Sequence, residues 1–183
     1  METKGIIVEE LKFGKPKIMH KNFAEEYINE FLEYGSEING TGGLQRYMNN
    51  YQGWLEKIRD DDKIDIKTNE KVPAETFFVI RNTDKRIIGM VNIRKRLNEE
   101  LIVHGGHIGY SVRPTERRKG YGTEILKMAL NELKKINVKK VLITCNKDNI
   151  GSARVIMNNA GKLENEIINK ETGKEMQRYW IEN

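Results

Sequence analysis

A short basic segment with two glycines is the part of the sequence best suited to chemistry. It runs from Arg113 to Thr123, reads RPTERRKGYGT, and joins a β-rich stretch to an amphipathic one. Glycines at 120 and 122 allow the backbone to approach a ligand closely. The first turn of a helix exposes unpaired N–H groups at the positive end of its dipole, and three basic residues, Arg117–Lys119, precede it here. The spacing therefore predicts a site for a phosphate-bearing ligand.

Two common phosphate-binding motifs do not fit this segment. A P-loop requires the pattern GxxxxGK[ST], which the sequence does not contain. A dinucleotide-binding fingerprint requires a third glycine where this chain has Ile125. Two glycines alone are also compatible with a simple tight turn between a strand and a helix. Taken by itself, the segment leaves that alternative open.

Hydrophobic periodicity predicts strands and helices on both sides of this segment. The predicted strands cover residues 5–9, 76–81, 87–94, 107–113, 140–145, 163–168 and 176–181, and the predicted helices cover 22–34, 44–58, 125–136 and 149–160. The strand–helix–strand unit from His107 to Cys145 predicts a parallel pair with a right-handed crossover. The hairpins on either side predict antiparallel pairing. The expected fold class is α/β, with a mixed sheet that carries helices on both faces.

The composition limits the classes of protein to which the chain can belong. Its 183 residues predict one domain, residues 1–183, whose core needs no disulfide or metal. The single cysteine, Cys145, excludes an internal disulfide and favours a reducing, cytoplasmic setting. The first residues show no signal-peptide pattern, and no apolar run approaches the ~20 residues that span a membrane. No spacing of His, Cys and carboxylate residues predicts a metal site.

The net charge of +5 suits a polyanionic partner, either a nucleic acid or a small phosphorylated cofactor. The sequence lacks the alternation of aromatic and basic residues that single-strand binders use, so no nucleic-acid partner is expected. Basic residues concentrate at Arg113 and Arg117–Lys119, next to the two glycines. The location of the charge therefore favours a small phosphorylated ligand.

The predicted phosphate-binding segment resembles a known family motif. Arg117 to Gly122, RRKGYG, is similar to the R/Q-x-x-G-x-G/A motif of the GNAT acetyltransferases. Asn149 to Ser152 resembles the Asn-x-x-Ser/Ala start of the family's next helix, and His107 to Pro114 is most similar to an uncharacterised group of predicted acetyltransferases. The resemblance covers about 76–181, which it marks as a cofactor-binding core, and leaves 1–72 as a variable N-terminal helical part.

The resemblance implies the GNAT acyl-CoA N-acyltransferase fold, a mostly antiparallel sheet with a central splayed pair of parallel strands. It also implies acetyl-coenzyme A (acetyl-CoA) as cosubstrate and no metal. The diphosphate of the cosubstrate would lie on the loop, and its pantetheine arm would enter the gap between the splayed strands. The cofactor-binding residues that the resemblance implies are Tyr110, Ser111, Val112, Arg117, Arg118, Lys119, Gly120, Tyr121, Gly122, Thr123, Asn149 and Ser152.

By the same resemblance, we expect an acyltransferase that moves an acetyl group to an amine by direct attack in a ternary complex. The amine must lose a proton to a base, and His107 is the first candidate, with a histidine satisfied in the sheet as the alternative. The family's usual acid is a tyrosine in the helix after Asn149, but Ile156 and Met157 occupy that region here. Tyr110 is the candidate substitute, with a packed strand aromatic as the alternative.

The acceptor and the assembly stay open at this stage. The acceptor is an unidentified amine, a class that includes small amines, antibiotics and protein amino groups. The missing helix tyrosine motivates a second hypothesis, a non-catalytic acyl-CoA-binding or regulatory module. A homodimer is one alternative for the oligomeric state, and no membrane partner is expected.

Overall fold

The structure is a computed structural model that describes residues 8–65, 71–170 and 172–183. Within these ranges the chain forms, in order, β1 (Leu11–Gly14), α1 (Lys21–Glu33), α2 (Tyr51–Asp62), β2 (Ala74–Arg81), β3 (Ile87–Arg94), β4 (Ile108–Val112), α3 (Tyr121–Lys135), β5 (Lys140–Asn146), α4 (Ile150–Asn158), β6 (Lys162–Ile168) and β7 (Glu175–Glu182). The alternation of strands and helices follows the order predicted from hydrophobic periodicity.

The strands form two antiparallel sheets that meet between β4 and β5. The first sheet has the order β1-β2-β3-β4, and the second has the order β5-β7-β6. An isolated bridge joins Gly106 to Ile143, and beside it the His107 N–H donates to the Leu142 carbonyl at 2.8 Å. Among the described residues, no further ladder pairs β4 with β5, so the parallel pair predicted for the unit from His107 to Cys145 is splayed apart and not hydrogen-bonded as a ladder. The two strands are therefore joined at one end only, and we call the space between them beyond the bridge the interstrand gap.

Helices cover both faces of the sheets, as predicted. Helices α3 and α4 cover one of these faces. The apolar residues of α3 recur every three or four positions, so they form one stripe along the helix. Ile125, Leu126 and Leu133 are fully buried in this stripe, and Ile156 of α4 joins the same core. Burial of each such side chain stabilises the fold by about 1.5–3 kcal/mol. This packing fixes the start of α3 beside the end of β4.

Helices α1 and α2 cover the opposite face of the first sheet with an aromatic core. Phe31 of α1 and Trp54 of α2 are fully buried in one cluster with Phe78 and Met90 of the sheet. The Trp54 Nε1–H donates to the carbonyl of Thr41 at 3.0 Å, which satisfies the indole nitrogen in the core. The segment between α1 and α2 is thereby anchored against the sheet.

The first predicted strand is displaced along the chain. It was expected over 5–9, of which residues 5–7 lie outside the described ranges, and Val8 and Glu9 are not in a strand. The strand that pairs with β2 is β1. The prediction of one domain over 1–183 is not tested by the described ranges and stays a prediction.

The helix predicted over 44–58 is broken, so this prediction is wrong. Leu44–Arg46 form a short 3-10 turn, and α2 begins only at Tyr51. The side-chain oxygen of Asn50 accepts a hydrogen bond from the Gly53 N–H at 3.0 Å. Such a cap offers the backbone an alternative to continuing a helix, which the hydrophobic stripe alone does not reveal.

Candidate functional site

The loop between β4 and α3 exposes backbone N–H groups at the start of a helix. Arg118 and Gly120 adopt positive φ values of 62° and 83°, and Gly120 directly precedes the first residue of α3. No side chain caps this helix among the described residues. The N–H groups of the first turn, at 121–123, have no acceptor within the helix. The arrangement offers a site for an anion at the positive end of the helix dipole.

Gly122 allows the first turn of α3 to pack closely against its neighbours. A Cβ at this position would lie 3.0 Å from Val155 Cγ2 of α4 and 3.6 Å from Val112 Cγ2 of β4. The first contact is tighter than ordinary van der Waals packing. Glycine therefore lets the amides of this turn lie beside the end of β4, while the side chain of Tyr121 is buried in the core below.

The three basic side chains before the glycines differ in their roles. Arg117 donates from Nη2 to Ser36 Oγ at 2.8 Å and from Nε to the Val112 carbonyl at 3.2 Å. Lys119 donates to Glu116 at 2.9 Å. Arg118 is exposed, and no described carboxylate pairs with it. Arg117 and Lys119 therefore hold the loop in shape, while Arg118 leaves its charge available to a ligand.

A buried carboxylate holds the loop from below, and the sequence analysis did not identify it. Glu116 accepts hydrogen bonds from Arg81 at 3.0 Å and Arg86 at 2.9 Å, in addition to the one from Lys119. Burial alone would raise the pKa of Glu116, but the bonds from Lys119 and Arg81 outweigh it and lower the pKa. The one acidic residue in an otherwise basic loop was the signal in the sequence.

Arg113 is a structural cation rather than part of the exposed basic cluster. It is fully buried and donates from Nη1 to Glu26 at 2.9 Å and to Glu30 at 2.8 Å. Its Nε donates to the carbonyl of Ile87 at 2.8 Å. Glu30 also accepts the N–H of Thr115 at 2.9 Å. These bonds tie the end of β4 and the start of the loop to α1, so Arg113 is not available to a ligand.

Neighbouring side chains of β4 point to opposite faces, as strand geometry requires. Ser111 points towards α1, where its Oγ donates to the Asn39 carbonyl at 2.5 Å and lies 3.0 Å from the Tyr27 hydroxyl. Tyr110 points towards α4, where its hydroxyl lies 3.1 Å from Ser152 Oγ. The strand therefore connects two surfaces on opposite sides of the first sheet.

Tyr110 and the start of α4 form a polar cluster beside the interstrand gap. Burial raises the pKa of Tyr110 to about 12, although the hydrogen bond with Ser152 opposes this. Burial also raises the pKa of the Cys145 thiol to about 11, against a hydrogen bond with Ser152. Asn149 caps α4, since its Oδ1 accepts the Ser152 N–H at 3.0 Å. The structure thus brings together three predicted site residues, Tyr110, Asn149 and Ser152, and adds Cys145.

His107 lies at the joined end of β4 and β5, apart from this cluster. Its Nδ1 accepts the Leu142 N–H at 3.0 Å, and its own N–H donates to the Leu142 carbonyl. Burial lowers the pKa of His107 to about 4, and the nearby charge of Arg94 lowers it further. The imidazole is neutral near pH 7 and already engaged. This geometry favours the alternative considered from the sequence, a histidine satisfied in the sheet.

Among residues 8–65, 71–170 and 172–183, no group of three or more His, Cys, Asp or Glu side chains is arranged to hold a metal ion. None of the helices in these ranges has the length and apolar character needed to cross a membrane.

Comparison with known proteins identifies the family. Residues 44–161, more than half of the chain, match the family described as "Acetyltransferase (GNAT) domain". This chain belongs to the GNAT acetyltransferase family. The family and the fold class predicted from the sequence are confirmed, and the protein is classed with the acyltransferases.

A curated relative of this GNAT protein is the uncharacterized N-acetyltransferase YnaD of Bacillus subtilis (strain 168). The two sequences are 31% identical over 98 residues, which make up 53% of this chain and 55% of YnaD. The match therefore spans about half of the length of this relative.

Two solved structures show the same fold at low sequence identity. RimJ from Mycobacterium smegmatis, in complex with CoA-disulfide, superposes with a TM-score of 0.72 at 12% identity, over 94% of this chain and 81% of RimJ. The Microcin C7 self immunity acetyltransferase MccE, in complex with acetyl-CoA and AMP, gives a TM-score of 0.67 at 20% identity, over 97% of this chain and 94% of MccE. At these identities the likeness shows the fold alone.

His107 should make the stability of the GNAT protein depend on pH. Its folded pKa of about 4 lies below the usual value of 6.5, so the unfolded chain binds the proton more tightly. The contribution of neutral His107 to stability is therefore present above pH 6.5 and is lost as pH falls through 6.5 towards 4. We expect a loss of about 2 kcal/mol by about pH 5, measured by urea unfolding.

His107→Asn is the matched variant for this measurement, because an amide oxygen can still accept the Leu142 N–H. Between about pH 7.5 and pH 5, the unfolding free energy of His107→Asn should fall by ~2 kcal/mol less than that of the wild type. If the unfolding free energies of the two proteins changed equally with pH, the result would contradict a buried, neutral imidazole.

Proposed function

We propose that this GNAT protein transfers an acetyl group from acetyl-CoA to an amine acceptor by direct attack in a ternary complex. The observation that carries the proposal is the start of α3, where uncapped N–H groups follow Gly120 at a φ of 83°. At a helix N-terminus such groups point out of the first turn, and this turn lies beside the open edge of β4. A ligand with a diphosphate and an amide-containing arm would satisfy both features.

The loop residues fit the diphosphate of coenzyme A. The N–H groups at 121–123 would donate to phosphate oxygens, and the positive end of the helix dipole would favour the phosphate charge. The exposed guanidinium of Arg118 would add a mobile cation, since no described carboxylate neutralises it. Support comes from RimJ and MccE, which share the fold and are described with CoA-disulfide and with acetyl-CoA.

The edge of β4 would position the reacting group, which acetyl-CoA supplies as a thioester. Residues 110–112 pair with β3 on one side, and their other edge borders the interstrand gap. Backbone N–H and C=O groups on this edge would pair with the amides of the pantetheine arm. An N–H of the same edge would polarise the acetyl carbonyl and stabilise its developing negative charge. Asn149 and Ser152 would close the gap from the side of α4.

We assign the two candidate proton carriers different roles. Tyr110 would act as the proton donor to the departing thiol, because its hydroxyl is neutral and lies beside the gap with Ser152 at 3.1 Å. His107 would position the strands, because its Nδ1 is engaged and its low pKa makes it a weak base. The amine would attack in its neutral form, and the proton that it loses as the amide bond forms would pass to solvent water. The base role predicted for His107 stays a prediction.

A non-catalytic acyl-CoA-binding module is the alternative, and one observation favours it. Helix α4 offers no proton donor at Ile156, which is buried in the core, or at Met157, which is exposed. Such a module would bind acetyl-CoA through the same loop without releasing free CoA in the presence of amines.

A cytoplasmic location is also part of the proposal. It rests on the lone Cys145, which is buried and has no disulfide partner. The oligomeric state stays open, with a homodimer as one alternative.

Gly120→Val should weaken the affinity for acetyl-CoA about tenfold or more, because valine is strained at positive φ and the loop must change shape to relieve it. Isothermal titration calorimetry with acetyl-CoA measures the effect. Gly173→Val is the matched control, since Gly173 also has a positive φ, of 68°, but lies in the turn between β6 and β7. Equal effects of both substitutions on the affinity would count against the loop as the diphosphate site.

Tyr110→Phe should lower the turnover number about a hundredfold while the affinity for acetyl-CoA is retained, because only the donated proton is lost. The assay follows release of free thiol from acetyl-CoA with a panel of amines. Tyr34→Phe is the matched control, because Tyr34 is exposed at the end of α1.

Unchanged turnover in Tyr110→Phe would remove Tyr110 as the acid. Tight binding of acetyl-CoA by the wild type, without thiol release for any amine above background, would favour the binding module instead.

A further inference from the structure

A charged cleft lies on the α1–α2 side of the first sheet, opposite the face covered by α3. Its volume is about 610 Å³, and it is lined by residues 38–43, by Asn92 and Arg94 near the end of β3, and by Leu101. We call it the acceptor-side cleft.

The loop that lines the acceptor-side cleft packs against the backbone of β4. A Cβ at Gly40, which lines the cleft, would lie 2.6 Å from the Tyr110 Cα, so this loop packs directly on the strand. The Asn39 carbonyl, which also lines the cleft, accepts the Ser111 hydroxyl at 2.5 Å. The cleft therefore adjoins β4 through this loop and through Arg94 beside Gly109, on the side of the sheet opposite α3.

Arg94 is a largely buried cation at this cleft without an ion-pair partner among the described residues. Its Nη1 donates to the carbonyls of Gly105 at 3.1 Å and Gly106 at 2.9 Å. A Cβ at Gly109 would lie 3.7 Å from its Nη2, so the guanidinium also borders the start of β4. Burial lowers the pKa of Arg94, and the charge of Glu100, which also lines the cleft, only partly opposes this. A buried charge without a counterion is costly, so the site favours an incoming anion.

The other residues that line the cleft also carry a net positive formal charge. Four cationic side chains and two anionic ones line the cleft, which gives a formal charge of +2: Arg46, Lys57, Lys71 and Arg94 against Asp61 and Glu100. Lys57 and Asp61 pair with each other. A polycationic amine would meet repulsion here, whereas an anionic group would be attracted.

We infer that the acceptor is a small amine that also carries an anionic group, and that Arg94 determines this specificity by binding that group. The two backbone carbonyls fix one side of the guanidinium, which leaves Nη2 and Nε to bind a carboxylate or phosphate side-on. The amine of the same molecule then lies near β4. The inference names the substrate class of the proposed acetyltransferase and rests on that function.

Matched pairs of amines test the inference in the thiol-release assay. An L-amino acid is compared with its carboxamide, and phosphoethanolamine with ethanolamine, while spermidine represents a polycation. In at least one pair the charged member should have a kcat/KM about tenfold or more above that of its neutral partner. The pair that shows the difference distinguishes a carboxylate from a phosphate.

Substitution of Arg94 tests the residue. Arg94→Gln keeps amide donors for the two carbonyls but removes the charge, so KM for the anionic amine should rise about tenfold to a hundredfold. KM for the neutral partner and the affinity for acetyl-CoA should not change, and Arg94→Lys should restore part of the loss. Arg59→Gln, at an exposed position of α2 that does not line the cleft, is the matched control.

Binding of the same amines to CoA-saturated protein, measured by calorimetry, separates this inference from the proposed function. Arg94-dependent binding of an anionic amine without acetyl transfer would confirm that Arg94 binds the anionic group, but it would contradict the proposed function and the role of that amine as the acceptor. Transfer that favours spermidine or the neutral members, with no effect of Arg94→Gln, would overturn the inference and leave acetyl transfer in place.

Discussion

One strand edge without a partner is the constraint on which the site depends. β4 pairs with β3 along one side, but on the other side a single bridge at Gly106 and the bonds between His107 and Leu142 are its described connections to β5. Backbone groups on such an edge require other partners. A ligand arm with its own amides can supply them, so a gap that would weaken an ordinary sheet becomes a binding surface.

The second requirement is a loop that stays rigid while its amides face outward. Two carboxylates, one half-buried and one buried, provide this rigidity: Glu30 holds Arg113 and the Thr115 N–H, and Glu116 holds Arg81 and Arg86. The negative charges of these carboxylates are thus neutralised beneath the loop, and positive charge remains on its exposed side. The proposed diphosphate site and the acceptor-side cleft then lie on opposite faces of β4, which is the geometry that a ternary complex needs.

The position of the loop between a strand and a helix could be predicted from the sequence because its determinants are local. Glycine spacing, the end of a β-rich run and the stripe of α3 lie within a few dozen residues of one another. The roles of Arg113, His107 and Arg94 could not be predicted in this way, because each depends on groups brought near by folding. Arg113 meets Glu26, 87 positions away, and His107 meets Leu142, 35 positions away. The helix predicted over 44–58 was wrong for the opposite reason. Its hydrophobic pattern was correct, but a local cap at Asn50 outweighed that pattern.

The central claim is that backbone amides at the start of α3 bind the diphosphate of coenzyme A. Calorimetric titration of the same protein with acetyl-CoA and with S-acetyl-pantetheine, which lacks the diphosphate and the nucleotide, tests it most directly. The account predicts saturable binding of acetyl-CoA and about a hundredfold weaker binding of acetyl-pantetheine, with the difference shrinking as salt is added. No heat with acetyl-CoA, or equal affinity for the two thioesters, would contradict it.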